Sequence, residues 1–189
     1  MSEIKICGVN DAAFAAEAER LGADYLGFIF AEGSPRRVDA ATVRRIRAGL
    51  RGTAKVVGVF TTTLVADVLA TARTLMLDVV QLHRRATTEE VASVRAAGFE
   101  VWTLAGGAEG DGVLFDSSHG DGETAFRRGN YKAILAGGIS EKNLAQALAL
   151  KPDVIDVSSS LETSPGVKSI ERLRIFCGEF SYHRCRPGV

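Results

Sequence analysis

Cysteine and histidine are scarce in this chain, three of each in 189 residues, and that scarcity removes several kinds of chemistry. Cys7, Cys177 and Cys185 are odd in number and lack metal-ligand spacing, which argues against a disulfide framework and against a thiolate metal site. His83, His119 and His183 are too scattered to suggest a metal site either. Net charge is also missing: 23 basic residues balance 23 acidic ones. With no surplus of either sign, nothing calls for nucleic acid or a membrane surface as a partner, and Arg44-Arg45 reads as a solvated face. No apolar run is long enough to span a bilayer. The chain enters structure at Glu3-Ile4-Lys5-Ile6 with no long apolar leader, so a reducing cytoplasm is the expected location.

What is present is enough apolar residue for one core. The chain is 46% hydrophobic and 24% charged, as in a single globular domain. Short apolar runs alternate with stretches of helical periodicity. The runs are Ile4–Cys7, Tyr25–Phe30, Lys55–Phe60, Asp78–Leu82, Glu100–Leu104, Val113–Asp116, Lys132–Ala136 and Val154–Ser158. Helices are predicted between them near Asp11–Leu21, Ala40–Leu50, Leu64–Met76, Thr88–Ala97, Thr124–Arg128 and Glu141–Leu150, with a closing helix near Ile170–Phe176. Asn10 or Asp11 is a natural first cap. Between the fifth and sixth runs, Gly106, Gly107, Gly110 and Gly112 are too many glycines for a helix, so that crossover reads as a loop.

Eight β-type runs joined by crossovers, with no hairpin turn among them, indicate a parallel sheet covered by helices. The count fits a single (β/α)8 barrel with a reduced or absent fifth helix. The rival is an open doubly wound sheet, but its first turn would be rich in glycine, and here that turn is Cys7-Gly8-Val9-Asn10. Residues 1–180 are assigned to the barrel, and 181–189 to a C-terminal tail expected to be disordered.

In such a barrel, chemistry belongs at the C-terminal ends of the strands. Cys7 ends the first strand, and a thiol can take a proton from carbon near neutral pH. The alternative for Cys7 is a buried structural cysteine. Asp116 ends the sixth strand, either as a turn former or as an acid at the rim. Arg36, after the second strand, is able to grip a carboxylate through two hydrogen bonds, and its plain alternative is a solvated surface arginine. His83 ends the fourth strand as a polar wall residue or simply a satisfied histidine. Gly137-Gly138 after the seventh strand and Ser158-Ser159-Ser160 after the eighth occupy the two loops where barrels frequently bind phosphate.

These motifs together resemble a known family. Lys5-Ile6-Cys7-Gly8, Ser34-Pro35-Arg36, Gln81-Leu82-His83, Leu135-Ala136-Gly137-Gly138-Ile139, Asp156-Val157-Ser158-Ser159 and Ser164-Pro165-Gly166-Val167-Lys168 occur in the order expected of phosphoribosylanthranilate isomerases of tryptophan biosynthesis. The resemblance runs from about residue 4 to 178. It implies a barrel whose fifth helix is often reduced, an Amadori rearrangement of a phosphoribosyl substrate, no metal or redox cofactor, and a monomer or homodimer. By the same resemblance Cys7 is the base and Asp116 the acid. Arg36 holds the anthranilate carboxylate, His83 belongs to the pocket wall, and Asp156 lies near the sugar hydroxyls or the amine. Gly137, Gly138, Ser158, Ser159 and Ser160 receive the phosphate.

The chain departs from the family pattern in three places. Arg84-Arg85 follow His83 where the family usually has glycine, Ser160 stands where glycine is common, and Ala125-Phe126-Arg127 replaces an aromatic-Asp-Trp run. Two other readings therefore stay open. One is an isomerase of a different phosphorylated ribose derivative, with Arg84 or Arg85 meeting an extra anion. The other is a phosphosugar-binding or partner-binding barrel with weakened catalysis.

Overall fold

The computed structural model describes residues 1–117 and 126–185. Runs rich in β-branched and aromatic residues form eight parallel strands: β1 (Glu3–Cys7), β2 (Tyr25–Ile29), β3 (Lys55–Phe60), β4 (Val79–Leu82), β5 (Glu100–Leu104), β6 (Gly112–Asp116), β7 (Lys132–Ala136) and β8 (Val154–Val157). Each pairs with its neighbour in sequence and β1 also pairs with β8, so the sheet closes on itself without an edge. Closure excludes the doubly wound alternative.

Alternation along each strand sorts side chains into two layers. Tyr25, Val57, Val79, Trp102, Leu114, Ile134 and Val154 fill the interior of the barrel. Ile4, Ile6, Leu26, Phe28, Val56 and Val80 face outward against the helices. Those helices are α1 (Ala12–Arg20), α2 (Ala40–Ala48), α3 (Val65–Leu75), α4 (Thr88–Ala96), α5 (Leu144–Ala149) and α6 (Ile170–Cys185). Asp11 caps α1 by accepting the Phe14 N–H, and Asp39 caps α2 in the same way. Thr87 and Glu90 make a reciprocal capping box on α4.

No helix separates β5 from β6, as the glycines suggested. Residues 105–111 instead lie against the barrel wall, where a side chain on Gly110 would meet the Val101 carbonyl oxygen at 2.3 Å. The Gly110 N–H donates to Thr103 Oγ1 at 3.1 Å, a bond that needs this close approach. After β6, the described part of the expected helix, 126–128, is not helical; Thr124 and Ala125 lie outside the described residues. At the other end, α6 runs past Phe176 to Cys185, because Leu173, Phe176, Cys177 and Phe180 keep one buried helical stripe going. Residues 186–189 of the expected tail lie outside the described residues.

The N-terminal end of the barrel carries a repeated device. Asp24, Asp78, Asp111 and Asp153 each stand immediately before an even-numbered strand. Each uses a carboxylate oxygen to accept an N–H near the start of the preceding strand: Ile4 at 2.8 Å, Val56 at 2.7 Å, Val101 at 2.9 Å and Ala133 at 2.8 Å. The barrel floor is therefore stitched with a period of two strands. Asp78→Ala is expected to cost about 1–2 kcal/mol in urea denaturation; an unchanged midpoint would show that the stitch contributes nothing.

Candidate active site

At the opposite end, the strand termini enclose a cavity of about 250 Å³ lined by residues of seven of the eight strands or the loops after them. Cys7, Arg36, His83, Asp116, Gly137, Gly138, Asp156, Ser158 and Ser159 all line it. The residues singled out by their strand-end positions thus meet in one place. Ser160 is the exception. It does not line the cavity; its hydroxyl donates to the Ile139 carbonyl at 2.6 Å and ties the loop after β8 to the loop after β7.

Cys7 sits at the last position of β1, its side chain facing the barrel interior and 8% exposed. Burial pushes its thiol above the ordinary value of 9.0, and Lys5 and Lys168 oppose that shift. Sequence reasoning assigned no role to Lys5, which is completely buried and bonded to Asp156 Oδ2 at 2.6 Å. Burial disfavours the ammonium, but Asp156 and Cys7 more than offset it, so Lys5 stays charged. The second Asp156 oxygen, Oδ1, and Gln81 Oε1 are buried and have no hydrogen-bond partner among the described residues. Both residues line the cavity, leaving two acceptors for a ligand's hydroxyl or amine groups.

Asp116 stands across from these groups at the end of β6. His83 Nε2 is 3.4 Å from Asp116 Oδ2. Gly137 is packed beneath the same carboxylate: at φ +89°, it takes a left-handed conformation, and a Cβ there would lie 2.6 Å from Asp116 Oδ1. The turn after β7 can follow this path only as glycine. Beyond it, Asn143 accepts the Ser140 N–H at 2.8 Å and donates to the Gly138 carbonyl at 3.0 Å, which fixes the loop before α5.

Arg36 reaches the cavity from the loop after β2, held by a partner that sequence reasoning missed. Glu162 accepts from its Nε at 2.6 Å and its Nη2 at 2.7 Å. Glu162 begins β9 (Glu162–Ser164), which pairs with β10 (Val167–Lys168) in a small antiparallel ribbon. Lys168 from that ribbon is buried, lies 2.9 Å from Glu162 and donates to the Ser158 carbonyl at 3.0 Å. One carboxylate therefore sets two cations beside the cavity. No sequence spacing links Arg36 to Glu162, so only the fold could disclose the pair.

The departures in sequence resolve differently. Arg84 turns away from the cavity, donating to the Thr61 carbonyl and to Glu90 of the α4 capping box. It neither narrows nor recharges the site. Among the described residues no three His, Cys, Asp or Glu side chains are grouped to hold a metal ion, and no helix is long and apolar enough to cross a membrane.

Comparisons with known proteins point the same way as the geometry. A family model described as N-(5'-phosphoribosyl)anthranilate (PRA) isomerase matches residues 4–179. A protein from Rubrobacter xylanophilus, named N-(5'-phosphoribosyl)anthranilate isomerase, is 36% identical, covering 93% of this chain and 97% of its own. The phosphoribosyl anthranilate isomerase of Thermus thermophilus superposes with a TM-score of 0.83 at 34% identity, over 95% of this chain and 98% of that one. A phosphoribosyl anthranilate isomerase solved in complex with reduced 1-(o-carboxyphenylamino)-1-deoxyribulose 5-phosphate gives 0.84 at 25% identity, over 96% and 100%.

The Glu162 cluster has a consequence for stability. Burial tends to raise the Glu162 carboxyl, but Arg36 and Lys168 override it and hold it below its ordinary 4.5. A carboxyl depressed on folding stabilises the protein above its unfolded value, and that contribution is lost as pH falls through the folded value. Between about pH 5 and 3, Glu162→Gln is therefore expected to lose less stability than the unaltered protein in urea titrations. Parallel losses would contradict this.

Proposed function

The chain belongs to the N-(5'-phosphoribosyl)anthranilate isomerase family, and we propose that Cys7 and Asp116 carry out the family's reaction in the rim cavity as base and acid. The activity is the Amadori rearrangement of N-(5-phosphoribosyl)anthranilate to 1-(2-carboxyphenylamino)-1-deoxyribulose 5-phosphate, a step of tryptophan biosynthesis. The observation that carries the residue assignment is the meeting of a buried thiol, a carboxyl group and an arginine around one cavity bordered by a glycine turn.

The chemistry divides into two proton transfers. Asp116 protonates the furanose ring oxygen, the C1–O bond breaks, and a Schiff base forms between C1 and the anthranilate nitrogen. Cys7, as thiolate, then removes the C2 proton to give an enolamine. Tautomerisation places a proton on C1 and leaves a ketone at C2. His83, 3.4 Å from Asp116, steadies that carboxyl as it gives up its proton. The unpartnered Asp156 Oδ1 and Gln81 Oε1 accept from sugar hydroxyls or the amine.

Orientation comes from the two ends of the substrate. Arg36 binds the anthranilate carboxylate with the part of its guanidinium that Glu162 leaves open. The phosphate rests on backbone N–H groups of the Gly137–Gly138 turn and of Ser158 and Ser159, a positively polarised surface far from the reacting carbons. Its binding energy holds C1 and C2 between base and acid. The reading in which Arg84 or Arg85 meets an extra anion draws no support from the cavity, which neither lines, and Arg84 is bonded to Thr61 and Glu90 instead.

Cys7→Ser and Asp116→Asn are each expected to lower kcat roughly a hundredfold to ten-thousandfold with the fold intact by circular dichroism. Near-native turnover in Cys7→Ser would remove the thiol from the mechanism. A substrate lacking its 5-phosphate is expected to lose kcat/KM as well as affinity; an unchanged kcat/KM would remove the anchor.

A further inference from the structure

We propose that Lys5 is a positioning residue for this reaction, its buried ammonium holding one oxygen of Asp156 while placing a positive charge beside Cys7 so that the thiolate can form. The inference rests on the reading of Cys7 as the base. Lys5 and Cys7 are two residues apart on β1, so both point into the barrel. On one side, register places Lys5 against Asp156 of β8, and Nζ meets Oδ2 at 2.6 Å. On the other side, Cys7 is in register with Gly27 of β2. A Cβ built on Gly27 would lie 3.0 Å from Cys7 Sγ and 3.1 Å from Lys5 Cε. The two side chains share the space that the glycine leaves empty.

A buried Lys–Asp pair adds little stability over apolar residues of the same size. Its effect on a neighbouring thiol is larger. A thiolate out of water is disfavoured by desolvation and recovers only through positive charge close by. The charged groups facing Cys7 are Lys5 from its own strand, Asp156 from β8, Lys168 from β10 and Arg36 from the loop after β2. Lys168 and Arg36 share the Glu162 carboxylate. Three basic side chains thus stand with two carboxyl groups, Asp156 and Glu162, around the Cys7 thiol. Among these groups only Lys5 shares a strand and a face with Cys7.

The experiment is the pH dependence of Cys7 alkylation by iodoacetamide, with Cys7→Ser as the background from the other thiols. Removing Lys5 alone strands a buried carboxylate and endangers folding, so the informative comparison is Asp156→Asn against the double variant Lys5→Met/Asp156→Asn. The double variant leaves no lone buried ion in this pair. Asp156→Asn removes a negative charge and is expected to move the alkylation midpoint down. Adding Lys5→Met is expected to move it back up by about one pH unit or more. Coincident midpoints in the single and double variants would overturn the proposal. Alkylation needs no turnover, so the result stands apart from the base assignment, which the kcat of Cys7→Ser decides.

Discussion

A closed barrel has a dry interior, and any charge placed there must be met by another. That constraint organises this protein. Lys5, at 0% exposure, is the least exposed charged residue among the described residues, and its pairing with Asp156 joins β1 to β8, the two strands whose contact closes the sheet. One side-chain bond therefore sits at the seam of the fold and at the floor of the cavity. The same rule governs the rim, where the buried Lys168 and half-buried Arg36 are both compensated by Glu162.

The barrel divides along its axis into a stabilising end and a reactive end. At the N-terminal end, Tyr25 and Trp102 pack edge to face with centroids 4.8 Å apart, and Lys132 joins the Tyr25 hydroxyl to Glu3. Glu3, Tyr25, Lys132 and the carboxylates that stitch alternate strands are there directed at other protein groups. At the C-terminal end, Gln81 Oε1 and Asp156 Oδ1 have no such partner among the described residues. Leaving a buried acceptor unsatisfied costs about 1–3 kcal/mol, a cost that a bound sugar hydroxyl or amine would offset. The asymmetry between the two ends is the physical signature of a site built to be filled.

Much of this was legible in the sequence. Parallel strands buried on both faces appear as short continuous apolar runs, so eight strands and their ends could be counted, and strand ends in a barrel are rim positions. Cys7, His83 and Asp116 were placed at the rim by that pattern, whereas Asp156 came from the family resemblance. Other features were not read for specific reasons. Lys5 looks like an outward residue on hydropathy; the available clue was that it shares the parity of Cys7 on β1. Glu162 finds Arg36 across a long stretch of chain, which no local pattern encodes. Helix α6 was cut short because its buried stripe runs on among polar neighbours through Phe180. The aspartates before β2, β4, β6 and β8 form a period of two strand units, and each looks like an ordinary turn residue when taken singly.

The proposed reaction needs a thiol and a carboxyl group to face the reacting carbons while the two ends of the substrate are clamped. The most direct measurement is a crystal structure with the reduced product 1-(o-carboxyphenylamino)-1-deoxyribulose 5-phosphate bound. The phosphate is expected on the backbone of Gly138 and Ser159, the carboxylate on Arg36, and C2 within about 3.5 Å of Cys7 Sγ. A ligand bound in the reverse sense, with its phosphate on Arg36 and C2 remote from Cys7, would contradict the assignment of base, acid and anchor together.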